Sequence, residues 1–212
     1  MISDYLKMRG IKFEPELHSP GFEMVDDGGV EVETGELLYG FVRRLKPSNI
    51  LETGTYSGIS AAYIALALQR NERGELTTVE INHFHIDRAT KMWKQIGVEH
   101  LITPVNASSL LYTPNKTFQM IFLDSEPDLR LHELVRFYPY LEDGGYVFIH
   151  DLPSNWCKGN VNPDHPEMVN WPVGEIPKEA QALIDEKKLL PFYFPDARSL
   201  AGFYKPMKGD NI

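Results

Sequence analysis

Apolar residues recur along this chain in two alternating rhythms. Between residues 33 and 45, Leu37, Leu38, Phe41, Val42 and Leu45 fall on one helical face. Lys46-Pro47-Ser48-Asn49 stops that helix, and Asn49 to Glu52 reads as a short buried strand. The pattern then predicts a helix over 57–69, a strand over 75–81 and a helix over 83–96. Leu101 to Val105 is the third strand, and QMIFLD at 119–124 a strongly apolar fourth. Asp128 is the expected N-cap of the next helix, with Leu131, Leu134, Val135, Tyr138 and Leu141 sharing a face. Gly144-Gly145 is expected to end it before the fifth strand, YVFIHD. Leu189 to Phe194 and Leu200 to Tyr204 are two more strand-like runs, joined as a hairpin.

Strand and helix in this alternation mean βαβ units and a parallel sheet with helices on both faces. Continuous apolar strands such as MIFL and YVFI fit burial on both sides. The expected fold is therefore α/β, Rossmann-like and doubly wound. Its seven-stranded, mostly parallel sheet finishes with an antiparallel C-terminal hairpin strand. Residues 1–212 are read as one domain, with 1–32 as an N-terminal extension. The stretch 152–175 is rich in Pro, Asn and Trp, and reads as a long functional loop.

Composition narrows the function. The formal charge is −9, which argues against a nucleic-acid footprint, since that needs a basic patch. The small basic cluster Arg43, Arg44 and Lys46 reads as a solvated helix end. No run of apolar residues is long enough to span a membrane. A single cysteine, Cys157, excludes an internal disulfide and fits a reducing, cytoplasmic setting. The start, MISDYLKMRGIKF, lacks the apolar core of a signal peptide.

In open α/β sheets, ligands sit beyond the carboxyl ends of the strands. Here those ends carry Glu52-Thr-Gly54-Thr-Tyr56-Ser57-Gly58, Glu80-Ile-Asn82, Asn106-Ala107-Ser108, Asp124-Ser125-Glu126 and His150-Asp151. A glycine pair at one turn can merely permit the turn. The dinucleotide fingerprint needs G-x-G-x-x-G, whereas this loop is E-x-G-x-x-x-G. An acid at its start suits a ligand with a cationic group, and Glu80 suits ribose hydroxyls.

ETGTYSGIS, TTVEIN and IFLDSEPDLRLHELVRFYPYLEDGGYVFIHD together resemble class I S-adenosylmethionine-dependent methyltransferases, over roughly residues 33 to 205. The last of them is similar to the small-molecule O-methyltransferases of the catechol and caffeoyl-CoA type and their macrolide-sugar and cephalosporin-biosynthesis relatives. The resemblance implies methyl transfer from S-adenosylmethionine to an oxygen of a small-molecule acceptor. Gly54 and Gly58 would pass under the cofactor's methionine moiety. Ser57 belongs to the same loop, Ser60 would hold the carboxylate, and Tyr56 would line the pocket. Glu52 would meet the amino group or organise the loop, and Glu80 would grip the ribose. Ala107 and Ser108 would edge the adenine, and Asp124 would lie beside the amino group and the reacting methyl. Glu33 and Thr34 would close over the cofactor.

The same resemblance gives Asp124 and Asp151 a second role, as ligands of a divalent metal such as Mg²⁺ that binds the acceptor. Two departures weigh against it. The catechol-type pattern places Asn after the second acid and Lys three residues after the first; here these are Leu152 and Pro127. His150 becomes the candidate base or metal ligand. Loop 152–175 would be the acceptor lid, with Trp156, Asp164, His165 and Trp171 as contacts. Exposed aromatics near the N-terminus and lid would suit a homodimer. Two rival readings stand beside this one: a cofactor-binding module without turnover, and a nicotinamide-dependent oxidoreductase.

Overall fold

Strand and helix alternate as the apolar rhythm predicts, in a computed structural model that describes residues 1–15, 23–25, 28–152, 176–194 and 200–210. The elements are α1 (Ile2–Met8), β1 (Glu14–Pro15), β2 (Glu23–Met24), α2 (Val32–Leu45), β3 (Asn49–Thr53), α3 (Ile59–Asn71), β4 (Glu75–Glu80), α4 (His83–Ile96), β5 (Ile102–Asn106), β6 (Phe118–Leu123), α5 (Arg130–Phe137), β7 (Leu141–His150), α6 (Lys178–Asp185), β8 (Leu190–Phe194) and β9 (Leu200–Tyr204). The expected fold class holds. Seven strands make a mixed, mostly parallel sheet flanked by helices, with an antiparallel C-terminal end. The chain divides into two compact units, Met1–Ser109 and Leu110–Ile212.

In the first unit β3, β4 and β5 run parallel, with β4 in the middle. Ile50, Leu51, Leu76 and Val79 are buried, as strands covered on both faces require. Helix α3 is buried from Ile59 to Leu68, so it is apolar all round and serves as core. Gly35 on α2 makes this packing possible, because a Cβ there would lie 2.5 Å from the Tyr63 ring. Helix α4 instead buries only Ala89, Trp93 and Ile96 and leaves its other face to solvent. The two-residue strands β1 and β2 pair antiparallel as a separate ribbon.

In the second unit β6 and β7 are parallel, β9 is antiparallel to β7, and β8 is antiparallel to β9. The core is Met120, Ile121, Phe122, Leu123, Phe148, Ile149 and Phe203. The expected hairpin is therefore present, although its turn at 195–199 lies outside the described residues. The expected lid also lies outside them, apart from Leu152, which is buried.

Two boundaries differ from the sequence reading. Asp128 is not the N-cap of α5; the helix starts one residue later, from Leu129, with no side-chain cap. Gly144-Gly145 does not end that helix either. Pro139, which has no N–H and sits in the tight turn Tyr138–Tyr140, ends it first. Strand β7 then starts at Leu141, opposite Phe118, and passes an irregularity before Tyr146 meets Met120. The glycines are strand residues, paired through Gly144 N–H to Lys205 O (2.8 Å) and Lys205 N–H to Gly145 O (2.9 Å).

Gly58 is a tight joint of the first unit. Its φ is +78°, its carbonyl accepts from Trp93 Nε1 at 2.8 Å, and a Cβ would lie 2.6 Å from that of Ala89. Gly58→Ala is expected to cost about 2 kcal/mol or more in a urea unfolding titration, from left-handed strain plus overpacking. A change within a few tenths of a kcal/mol would show that α3 and α4 are not locked at this point.

Candidate functional site

The loop after β3 is built by two buried carboxylates. Gly54, Tyr56 and Gly58 all have positive φ, so the backbone curls tightly between Thr53 and α3. Gly54 N–H donates to Val79 O at 2.9 Å. Oε2 of Glu80 accepts from the N–H groups of Thr55 (3.1 Å) and Tyr56 (3.0 Å). Its Oε1 accepts from Asn82 N–H at 2.9 Å and lies 3.4 Å from His85 Nδ1. A carboxylate offers about four lone-pair sites. Backbone amides take a large share of them here, so Glu80 is first a template for the loop.

Glu52 is fully buried and faces side chains instead. Ser60 Oγ donates to Oε1 and Thr78 Oγ1 to Oε2, both at 2.6 Å. Thr78 in turn lies 2.6 Å from Thr55 Oγ1. The Ser60 hydroxyl thus spends its hydrogen inside the protein. Ser57 is different: its buried Oγ has no hydrogen-bond partner among the described residues. A buried orphan hydroxyl at a helix N-terminus fits an anionic ligand group.

Tyr56 is held from several sides. The His85 ring meets it edge-on at 5.0 Å, the Arg88 guanidinium lies 5.7 Å from its centre, and a Cβ on Gly28 would come within 2.6 Å of it. After β5, Ala107 N–H donates to Glu80 O at 3.0 Å, and Asn106 Nδ2 donates to the carbonyls of Glu80 and Ile81, both at 2.9 Å. Ala107 and Ser108 are half-buried. At the start of α2, Thr34 Oγ1 donates to buried Glu31 Oε2 at 3.0 Å. Glu33 reaches solvent, yet desolvation of its carboxyl, with Glu31, Glu23 and Glu36 nearby, pushes its pKa above the usual carboxylate value.

The second unit gathers a cluster at the ends of β6 and β7. His150 Nδ1 donates to Asp124 Oδ1 at 3.0 Å and lies 3.5 Å from Asp151 Oδ2. One ligand atom from each of Asp124, His150 and Asp151 lies within 4.8 Å of the others. A buried arginine stands in the middle. Arg130 donates from Nε to Ser125 O (2.8 Å), and from one terminal nitrogen to His150 O (2.6 Å) and Asp151 Oδ2 (3.0 Å). Its other terminal nitrogen lies 3.1 Å from Asp124 Oδ1. Asp151 itself has φ +50°, a left-handed conformation that a short polar side chain tolerates.

A family model described as a methyltransferase domain matches residues 51–152, which take in the loop of the first unit and the cluster of the second. Over these residues, just under half of the chain, it is similar to the class I S-adenosylmethionine-dependent methyltransferases. A provisionally named O-methyltransferase of Mycobacterium sp. (strain KMS) is 22% identical over 172 residues, covering 79% of this chain and 75% of that one. Catechol O-methyltransferase domain-containing protein 1 of Mus musculus is 32% identical over 102 residues, 46% of this chain and 38% of that protein. The O-methyltransferase TomG of Streptomyces achromogenes, solved with S-adenosylmethionine, superposes with a TM-score of 0.67 at 20% identity, covering 85% of this chain and 82% of that one. A Podospora anserina methyltransferase bound to S-adenosylhomocysteine gives 0.68 at 17% identity, with 96% and 93% covered.

Within this methyltransferase, Glu52, Gly54, Tyr56, Ser57, Gly58, Ser60, Glu80, Ala107 and Ser108 gather at the carboxyl ends of β3, β4 and β5. Asp124, His150 and Asp151 gather at those of β6 and β7. Trp156, Asp164, His165 and Trp171 lie outside the described residues. Arg130 is the residue that sequence reasoning missed. Six places after Asp124 and at the start of a helical pattern, it looks like any solvated basic residue.

Thr78→Val tests the chain of side-chain bonds beneath the loop. It removes the hydroxyl that Glu52 accepts from and that Thr55 faces. The expected cost is about 1–3 kcal/mol in chemical denaturation, because a buried carboxylate loses a donor. Wild-type stability in this variant would show that the chain carries no energy.

Proposed function

We propose that this methyltransferase moves the methyl group of S-adenosylmethionine to an oxygen of a small-molecule acceptor. The observation that carries the reading is the Glu80-templated loop with the orphan hydroxyl of Ser57 at the start of α3. Ser57 Oγ and the α3 N-terminus take the carboxylate of the methionine moiety. Gly54 and Gly58 keep the backbone low beneath it. Ala107 and Ser108 flank the adenine, and the remaining capacity of Glu80 meets the ribose. Ser60 and Glu52 act one layer back, by holding the loop.

The acceptor's proton goes to His150. Asp124 fixes the imidazole by accepting from Nδ1. The acceptor oxygen then attacks the methyl carbon, the C–S bond breaks, and S-adenosylhomocysteine leaves. Positioning supplies most of the rate in such an in-line transfer. By donor type, Asp124, His150 and Asp151 suit a divalent ion. They do not fit one as arranged, because Arg130 already holds an oxygen of each carboxylate. O-methylation is favoured over a nicotinamide reaction by the absence of the third glycine and by the O-methyltransferase names of the relatives. No described helix is long and apolar enough to cross a membrane.

Calorimetric titration with S-adenosylmethionine and S-adenosylhomocysteine tests the cofactor site. Ser57→Ala is expected to weaken binding about threefold to tenfold, the worth of one hydrogen bond. Glu80→Ala is expected to abolish it, because the loop loses its template. A wild-type protein that binds neither compound would overturn the reading.

A further inference from the structure

We infer that Arg130 is the resident cation of the acid–histidine cluster and takes the place of a divalent metal there. This deepens the O-methyltransferase reading, but its test reads metal binding and needs no turnover. The argument starts from charge. Two carboxylates, Asp124 and Asp151, sit at adjacent strand ends with little solvent to screen them: their side chains are 10% and 4% exposed. Such a pair needs a cation close by. The guanidinium supplies it, with 6% of its own side chain exposed. Ion-pair contacts of 3.1 Å to Asp124 Oδ1 and 3.0 Å to Asp151 Oδ2 come from its two terminal nitrogens.

The geometry goes beyond charge pairing. A metal would draw electron pairs from oxygen and nitrogen alike, whereas Arg130 can only donate hydrogen bonds. It uses that property on groups a metal ligand set would not need: the carbonyls of Ser125, at 2.8 Å, and His150, at 2.6 Å. Ser125 follows Asp124, and His150 precedes Asp151. One planar fork therefore ties each acid and the backbone beside it. It also pins the left-handed turn at Asp151 by bonding both its side chain and the peptide before it. Arg130 is a positioning residue in this scheme: it holds Asp124, and Asp124 holds the His150 ring.

The two catechol-type features missing from the sequence fall into line with this. Asn beside the second acid would add a neutral oxygen to a metal, and Leu152 there, 1% exposed, adds none. Nothing in the cluster asks for more acceptor oxygen once the cation is a donor.

The experiment is titration of Mn²⁺, and separately Mg²⁺, into the full chain saturated with S-adenosylhomocysteine, followed by calorimetry and by the paramagnetic signal of free Mn²⁺. The wild type is expected to take up neither ion at millimolar concentration. Arg130→Met removes the charge but keeps an apolar stem, and its Mn²⁺ affinity is expected to rise roughly tenfold or more, as loss of a neighbouring positive charge implies. Arg130→Lys, which keeps a charge, is expected to stay without metal. A purely structural arginine would give no such gain. Mn²⁺ uptake by the wild type that Asp151→Asn abolishes would overturn the inference, as would a folded Arg130→Met that gains no affinity. Should Arg130→Met fail to fold, the wild-type titration decides alone. Failure to bind S-adenosylhomocysteine would count against the cofactor reading instead, and leaves the metal titration of the free chain as it stands.

Discussion

The first unit depends on one buried acid. Glu80 ends β4, and three neighbours converge on it. Its side chain gathers the N–H groups of Thr55 and Tyr56 from the glycine loop and that of Asn82 from the start of α4. Its carbonyl receives Ala107 N–H and Asn106 Nδ2 from the end of β5. Asn82 then caps α4 by accepting from Phe84 N–H at 3.1 Å. Loops with several inward N–H groups and no acceptor would leave those donors unsatisfied, at about 1–3 kcal/mol each. One carboxylate satisfies them together, and with the carbonyl of the same residue it sets the loop, the cap and the end of β5.

The second unit solves the converse problem with the converse charge. There the groups that need partners are carbonyls and carboxylates: Ser125 O, His150 O, Asp124 and Asp151. A guanidinium, with its donors in a fixed fork, is the complement. Glu80 and Arg130 are thus the same device in opposite sign. Each is a buried charge set against the carboxyl ends of parallel strands, where it holds irregular backbone in place. The cost of burying a charge is met by hydrogen bonds to backbone as much as by ion pairing.

This device explains what could be read from the sequence. Continuous apolar runs such as MIFL announced the buried strands, and the polar residues ending each strand announced the rim, because both follow from side-chain type alone. The partner of each polar residue did not follow. Ser60 stood in the expected position for a cofactor carboxylate, but its hydroxyl donates to Glu52, and Ser57 carries the orphan oxygen. Which of two serines three residues apart faces inward depends on the positive φ values between them, and those emerge only when the loop closes on Glu80. The end of α5 was misjudged for a similar reason. Glycine looks like a breaker in the sequence, but Pro139 ends the helix and pairing with Lys205 keeps Gly144 and Gly145 in the strand.

Arg130 shows the deeper limit. Helical periodicity puts it at the start of α5, beside Leu131 and Leu134, and an arginine there is ordinarily a surface residue. Only the adjacency of β6 and β7 brings Asp124 and Asp151 to the same end and makes a buried cation necessary. Seen this way, the departure from the catechol-type pattern at Leu152 belongs with the buried arginine. With the guanidinium as the cluster's cation, as proposed, Leu152 need not be Asn. In the proposed reaction, His150, oriented by an aspartate that the arginine holds, is the base. The chemistry of the cluster follows from which cation the fold buries there.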